Sequence, residues 1–199
     1  GRRIDPPTPE TLIALGVPPG APLVVMVAAL TAEKDPITFV RAVAEARRSV
    51  PALCALLVGD GPLRAEVERA AMEAGVSGAL RLPGFRDDAE SLLAGADVVA
   101  LSSRLEGTSG VILDALSLGK PVVATAAGGN VEIIADRSSG LLVPVGDARA
   151  MGARVAEVLS DSSLARQLSR GARRRAEDYS IDRTVDRTLE VYRRVLAAG

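Results

Sequence analysis

The sequence predicts a doubly wound α/β fold, in which helices cover both faces of a parallel sheet. Two observations predict it. Short apolar runs rich in β-branched residues alternate with segments of helical spacing, and each run is apolar on both faces. Because strand–helix–strand crossovers share one hand, we expect consecutive runs to join the same sheet.

Six apolar runs are predicted to be strands, and five segments between them are predicted to be helices. In the first helical segment, Phe39, Val40 and Val43 form an apolar stripe opposite Arg41 and Glu45. The predicted strands are Leu23–Ala29, Leu53–Val58, Leu80–Leu82, Val98–Leu101, Pro121–Thr125 and Leu141–Val143. The predicted helices are Ile37–Val50, Leu63–Ala74, Ala89–Ala94, Ser109–Leu118 and Val131–Ile134.

The two ends of the chain depart from this alternation. Residues 1–22 are rich in Pro, begin without Met and contain no apolar strand, so we expect a linker from an absent N-terminal domain. The α/β domain is expected over residues 23–160. Residues 161–199 contain no strand candidate and are predicted to form C-terminal helices that pack back toward the absent domain.

The composition excludes several classes of function. The 199 residues include no His and one Cys, which removes His-based catalysis, an internal disulfide and a Cys-based zinc site. A net charge of −1 and an aromatic content of 2% argue against a nucleic-acid partner. No apolar run reaches the roughly 20 residues of a membrane span, and no signal peptide opens the chain, so we expect a cytoplasmic location.

Ligands of doubly wound sheets bind beyond the carboxyl ends of the strands, so the loops that follow the strands are the candidate site. Four of the five loops are rich in Gly, Ser or Thr, which lets a ligand approach the backbone. The loops are Leu30–Lys34, Gly59–Gly61, Pro83–Arg86, Ser102–Ser109 and Ala126–Asn130.

The segment Glu106–Ala115 carries the strongest functional signal. Thr108 or Ser109 can cap a helix whose free N–H groups suit a phosphate. Asp114 lies one turn further along and is placed to accept from neutral hydroxyls such as a ribose diol. Glu106 precedes the turn and can accept from sugar hydroxyls. A capped helix with a solvated Glu and a solvated Asp is the alternative interpretation.

Three other segments are weaker signals when each is taken alone. Gly128-Gly129 with Asn130 forms a second tight turn, which is typical of any strand-to-helix connection. Lys34 lies within reach of a phosphate, although a lone loop Lys is usually solvated. The run Val58–Pro62 lacks the third Gly of the dinucleotide fingerprint and the Lys-Ser/Thr of a P-loop, and a simple turn is the better interpretation.

Taken together and in order, eight segments resemble the C-terminal, donor-binding half of family-4 retaining glycosyltransferases of the GT-B fold, also described as glycosyl transferases group 1. The resemblance extends from about Leu23 to Asp147, and the late Tyr192 also fits. The segments are AALTAEKD, VGDGP, LPGF, ADVVALSS, EGTSGVILDA, GKPVVA, GGNVE and GLLVPVGD.

The resemblance implies a Rossmann-like domain that binds a nucleoside diphosphate sugar with UDP, GDP or ADP as its nucleotide. It implies transfer of a hexosyl group with retention of configuration, without a metal or another cofactor. The implied catalytic residues are Lys34, which would hold the diphosphate, and Glu106, which would contact the sugar. The implied donor-binding residues are Gly59, Phe85, Arg86, Arg104, Thr108, Ser109, Gly110, Val111 and Asp114.

This sequence departs from the family pattern at several positions. The family's phosphate-binding Arg falls on Ala29, and its second acidic residue is Asp114 rather than Glu. Thr108 and Ser109 replace an aromatic residue and a Gly. We expect the donors at Thr108–Gly110, together with Arg104 or a residue of the absent domain, to supply the missing positive charge, so that Ala29→Arg would add little affinity.

The resemblance also implies a partner and leaves two alternatives. An acceptor-binding domain would precede this region, so we expect the fragment to bind donor without transferring it. Any association with the inner face of a membrane would occur through that missing half. The alternatives are a dinucleotide-dependent oxidoreductase domain, disfavoured by the missing G-x-G-x-x-G, and a non-catalytic scaffold, which the change at Ala29 allows.

Overall fold

The computed structural model describes residues 4–197 as a sheet with helices on both faces. Residues 1–3 of the predicted linker and residues 198–199 of the predicted C-terminal helices lie outside the described residues. The strands are β1 Leu23–Val27, β2 Cys54–Val58, β3 Leu80–Gly84, β4 Val98–Leu101, β5 Val122–Thr125 and β6 Leu141–Val143. The helices are α1 Pro9–Ala14, α2 Pro36–Arg47, α3 Arg64–Glu73, α4 Ala89–Gly95, α5 Gly110–Ser117, α6 Asn130–Ile133, α7 Ala148–Ser160, α8 Ser162–Glu177 and α9 Ile181–Ala197.

The six described strands pair in the order β3-β2-β1-β4-β5-β6, and every pairing is parallel. This arrangement confirms the predicted doubly wound fold. In β1, Val24 pairs with Ala55 on one side and with Val98 on the other. The strand order therefore reverses at β1, and a crevice opens there beyond the carboxyl ends of the strands.

The core is the sheet itself together with the apolar stripes of the helices that cover it. All five residues of β2 and all four of β4 are buried. Helix α7 packs closely on α2 because Gly152 has no side chain: a Cβ there would lie 2.5 Å from the carbonyl oxygen of Ala42. Helix α7 also contacts β4, β5 and β6, so it covers this half of the sheet.

The predicted linker contains a helix that the sequence pattern did not reveal. Helix α1 begins after Thr8, whose hydroxyl accepts from the Thr11 N–H, and Val17 beyond it is buried. Pro9 reads as a helix breaker in a sequence, yet proline is well suited to the first position of a helix because it needs no N–H partner there.

The last helix presents apolar side chains to solvent. Helix α8 packs on α5, whereas Ile181, Val185, Leu189 and Tyr192 of α9 are all exposed. Packing of α9 on an acceptor-binding domain stays a prediction. Across residues 4–197, no helix combines the length and the apolar character needed to cross a membrane.

Candidate functional site

A cleft of about 480 Å³ opens at the carboxyl ends of β1, β2 and β4, where the strand order reverses. Its floor includes the last residues of these strands, Val27, Val58 and Leu101. The loops after the strands form its walls, as the sequence predicts for this fold. The lining residues that carry charge or can donate hydrogen bonds include Lys34, Arg86, Glu106, Thr108 and Ser109.

Lys34 and Glu106 form an ion pair in this cleft. The Lys34 Nζ lies 2.7 Å from Glu106 Oε1, and the Ser103 hydroxyl donates to the same oxygen at 2.7 Å. The Glu106 side chain is only 6% exposed, against 30% for Lys34. A carboxylate this buried needs charged or hydrogen-bonding partners, and it has both.

Hydrogen bonds between the two loops bring these residues together. The Ser102 hydroxyl donates to the carbonyl oxygens of Lys34 and Asp35, at 3.1 and 2.8 Å. The Arg104 N–H donates to the carbonyl of Glu33 at 2.7 Å. The loop after β1 and the loop after β4 therefore form one unit at the edge of the cleft.

The N-terminus of α5 points its free N–H groups toward the same space. Ser109 is the N-cap, and its hydroxyl accepts from the Ile112 N–H at 3.4 Å. Thr108 and Gly110 also line the cleft. A Cβ on Gly110 would meet no heavy atom of residues 4–197 within 4 Å, so the first turn is open. The helix dipole and these N–H groups favour an anion here.

The loop after β3 forms the opposite wall. Phe85 is 77% exposed, and Arg86 contacts Asp88 through two hydrogen bonds of 2.7 and 2.8 Å. The bonds from Arg86 hold the pKa of Asp88 below its ordinary value. The Arg86 guanidinium is thereby held by Asp88, and the exposed Phe85 ring lines the same part of the cleft.

Two of the predicted residues are not part of the cleft lining in the described structure. Arg104 Nε lies 2.9 Å from Asp35 Oδ2, and Asp35 also caps α2 through its bonds to Thr38. Asp114 lies within α5, where burial and then the charge of Glu90 raise its pKa. The other predicted site residues all line the cleft.

The Gly59 turn contributes more than its sequence indicates. Gly59 has φ of +134°, and a Cβ there would lie 2.0 Å from the carbonyl oxygen of Ala28. The turn after β2 is therefore pressed against the turn after β1, and Ala28, Ala29 and Asp60 join the lining. Sequence reasoning placed Asp60 in a candidate loop but did not select it as a site residue. It missed Ala28 because an alanine side chain does not signal chemistry, and only its place at the end of a strand could have found it.

Both cations of the described cleft lining already have carboxylate partners. Its two cations, Lys34 and Arg86, contact Glu106 and Asp88. In residues 4–197, no three His, Cys, Asp or Glu side chains come together in a group that could hold a metal ion. An anionic ligand would therefore meet N–H donors and paired cations.

The sequence and fold match known proteins over most of the chain. The family model described as glycosyl transferases group 1 matches residues 9–175. The D-inositol 3-phosphate glycosyltransferase of Salinispora arenicola is 36% identical in an alignment of 195 positions, which covers 92% of this chain and 44% of that protein. The chain spans about half the length of the curated relatives it matches.

Solved structures agree with this match. The sucrose-phosphate synthase of Thermosynechococcus elongatus is 27% identical, with a TM-score of 0.80 over 98% of this chain and 50% of that one. HepE of Anabaena, in complex with UDP-glucose, is 25% identical, with a TM-score of 0.81 over 93% of this chain and 54% of its own. The chain therefore belongs to the glycosyl transferases group 1 family and has the fold of the GT-B glycosyltransferases.

Proposed function

We propose that this chain is the donor-binding part of a retaining, metal-independent glycosyltransferase of the hexosyltransferase type. The observation that carries the proposal is the meeting of Lys34, Glu106 and the N-terminus of α5 in one cleft. These groups offer a cation, a sugar-hydroxyl acceptor and free N–H donors within the space of one nucleotide sugar. The UDP-glucose complex of HepE supports this choice of ligand.

The chemical problem in such a transfer is the charge that develops on the leaving group. When the bond between the anomeric carbon and the phosphate oxygen breaks, its electron pair stays on the diphosphate. Lys34 and the N–H groups of Thr108–Gly110 would stabilise that charge. The fold already holds the N–H groups in place, whereas Lys34 would exchange its contact with Glu106 for one with the diphosphate. They would therefore assist catalysis as well as binding.

Different residues at the cleft would contact different parts of the donor. Phe85 and Arg86 would flank the base, and Glu106 would accept from hydroxyls of the sugar. Asp114, which lies one turn inside α5 and outside the described lining, would accept from the ribose. The hydroxyl acceptor would bind a separate domain, which precedes this region in the family. Helices α8 and α9 would then pack toward that domain.

Calorimetry tests the proposal directly. The chain is titrated with UDP, GDP, ADP, the corresponding glucose conjugates and NAD. We expect one nucleoside diphosphate and its sugar conjugate to bind, and no transfer to water or to an added hydroxyl acceptor. Absence of heat with all nucleotides at millimolar concentration contradicts donor binding, and turnover by this chain alone contradicts the need for a second domain.

One observation favours a second candidate, a non-catalytic scaffold with the same fold. Ala29 lines the cleft at the position of the family's phosphate-binding Arg, and Lys34 already has an anionic partner. A scaffold would show no heat with any nucleotide while remaining folded. The NAD titration separates the oxidoreductase alternative, since only that class would bind NAD more tightly than the nucleoside diphosphates.

A further inference from the structure

A line of buried polar residues runs behind the Glu106 carboxylate. The Ser103 hydroxyl donates to Glu106 Oε1 at 2.7 Å, and the Ser103 carbonyl accepts from the Thr125 hydroxyl at 2.6 Å. The Thr125 carbonyl in turn accepts from Asn130 Nδ2 at 3.0 Å. Ser103, Thr125 and Asn130 are each 0% exposed. The line therefore connects the end of β4, the end of β5 and the start of α6 with the cleft.

The main chain of Glu106 is held from the same side. The Gly129 N–H donates to the Glu106 carbonyl at 3.2 Å. Gly128 has φ of +47°, and a Cβ there would lie 1.8 Å from that carbonyl oxygen. The Gly128-Gly129 turn therefore does more than connect a strand to a helix, because it seats the peptide that carries Glu106.

Stability alone does not account for these residues. Burying a polar group costs free energy unless it is fully hydrogen-bonded, and an apolar residue of similar size avoids that cost. Asn130 Oδ1 is buried with no hydrogen-bond partner in residues 4–197, so only its Nδ2 bond offsets the burial of that amide. A chain of such groups that ends on a cleft carboxylate is a reason to expect a role in the cleft.

We infer that Ser103, Thr125 and Asn130 are positioning residues that fix the Glu106 carboxylate for recognition of the donor sugar. This inference rests on the proposed function. Ser103 fixes the carboxylate directly, Thr125 fixes the peptide of Ser103, and Asn130 fixes the end of β5. Loss of Thr125 or Asn130 therefore acts on the sugar through Glu106, while the nucleotide contacts at α5 stay intact.

The test compares the affinity for a nucleotide sugar with the affinity for its nucleotide. UDP and UDP-glucose are the probes, or the GDP or ADP pair if the unmodified chain prefers it. We expect Thr125→Val to lower the ratio of nucleotide-sugar affinity to nucleotide affinity about fivefold. The nucleotide affinity itself should stay within about twofold of that of the unmodified chain. Thr125→Ser, which keeps the hydroxyl, restores the ratio.

Thr31→Val is the matched control. The Thr31 hydroxyl is also buried, and it has no hydrogen-bond partner in the described residues. Its replacement makes the same change of hydroxyl to methyl without breaking a bond, and the ratio should not change. An unchanged ratio in folded Thr125→Val, or an equal loss in Thr31→Val, overturns the inference.

A double-mutant cycle shows whether Thr125 acts through Glu106. In a Glu106→Ala background, Thr125→Val should change the ratio no further. An undiminished effect in that background contradicts the positioning role. If Thr125→Val does not fold, Ser103→Ala takes its place in the double-mutant cycle with Glu106→Ala.

A measurement without ligand separates this inference from the proposed function. In the ligand-free chain, the side-chain carboxyl ¹³C resonance of Glu106 should move in Thr125→Val and stay in place in Thr31→Val. If the unmodified chain binds no nucleotide, the proposed function fails. The Glu106 resonance still tests whether Thr125 positions the carboxylate. If the resonance does not move in Thr125→Val, the positioning role of Thr125 is wrong.

Discussion

Lys34 Nζ lies 2.7 Å from Glu106 Oε1, although 72 positions separate the two residues in the chain. The pair places the cleft's lysine on the cleft's buried carboxylate. A phosphate that binds Lys34 must therefore compete with Glu106 for the same cation. Donor binding would therefore exchange one anion for another at Lys34.

This competition predicts that Glu106→Gln tightens the binding of a free nucleoside diphosphate. Loss of the carboxylate charge leaves Lys34 available, and a partly exposed ion pair of this kind corresponds to about two- to fivefold in affinity. Affinity for the sugar conjugate should fall relative to the nucleotide, because an amide accepts sugar hydroxyls less strongly than a carboxylate does. Calorimetry with both ligands measures the two effects, and an equal loss for both would show that Glu106 contacts the nucleotide.

Removal of the cation should have the opposite effect on the nucleotide. Lys34→Met should weaken nucleoside diphosphate binding about tenfold, because a charge-assisted hydrogen bond is lost. It should also lower the free energy of unfolding by about 1–3 kcal/mol, since Glu106 is left buried without its counter-charge.

Lys120→Met is the matched control for that change. The chain has two lysines, and Lys120 lies just before β5, at the opposite end of the sheet from the cleft. Burial lowers the pKa of Lys120, so removal of its charge is not expected to destabilise the fold strongly. Nucleotide affinity should stay the same in Lys120→Met. A similar loss in both variants would mean that Lys34 acts only through the net charge of the protein.

The sequence pattern predicted the sheet and most of the cleft because both follow from local chemistry. Strands β4 and β6 begin and end at the predicted residues, and Lys34 and Glu106 meet because parallel strands end at one edge. The partners of the charged side chains were not predictable in this way. The ion pairs of Lys34 with Glu106 and of Arg104 with Asp35 are tertiary contacts. They depend on how the loops after β1 and β4 lie against each other, which the sequence pattern does not show.

The partner of Arg104 changes the expectation for Ala29. The sequence suggested that Arg104 compensates for the missing Arg, whereas the structure places its guanidinium on Asp35. Since Lys34 and Arg86 also have carboxylate partners, Ala29→Arg would add a third cation to the described lining residues. We expect a gain of about tenfold in nucleoside diphosphate affinity, from a bidentate contact with phosphate.

The nucleoside diphosphate affinity of Arg104→Ala, compared with that of Ala29→Arg, shows which cation the phosphate contacts. A loss of nucleotide affinity in Arg104→Ala, with no gain in Ala29→Arg, would support the original compensation by Arg104. The gain should also decrease as salt concentration rises, because the new contact is electrostatic and partly exposed.

The helix terminus offers a test of anion binding that is separate from the cations. Ser109 caps α5 at the cleft, and Asp147 caps α7, where its carboxylate accepts from the Ala150 N–H at 2.8 Å. Ser109→Ala and Asp147→Ala should each lower the free energy of unfolding by about 1 kcal/mol. Only Ser109→Ala should weaken nucleotide binding, because Ser109 lines the cleft and Asp147 does not. Equal affinities in the two variants would show that the Ser109 hydroxyl does not contribute to nucleotide binding.

Asp114 should make the stability of the protein depend on pH. Burial, and then the nearby charge of Glu90, raise its pKa above the ordinary value. Between the unfolded value, near 4, and the raised folded value, the native state binds more protons than the unfolded state. Stability contributed by this group is therefore present at low pH and lost as pH rises through that window. Asp114→Asn should be more stable than the unmodified chain at neutral pH, with the difference disappearing in acid.

Asp88 should contribute a pH dependence of stability opposite to that of Asp114, and Asp88→Asn tests this. The hydrogen bonds from Arg86 lower the pKa of Asp88, so its contribution is present above the unfolded value and lost as pH falls through the folded one. Urea unfolding of the unmodified chain, Asp114→Asn and Asp88→Asn is measured from acid to neutral pH. The stability differences of the two variants from the unmodified chain should change with pH in opposite directions.

The Asp114→Asn protein should also bind nucleoside diphosphate more weakly, because an amide accepts from the ribose hydroxyls less strongly than a carboxylate does. A variant that gains stability at neutral pH and keeps full nucleotide affinity would contradict the ribose role and leave Asp114 as an unfavourable buried charge without a ligand.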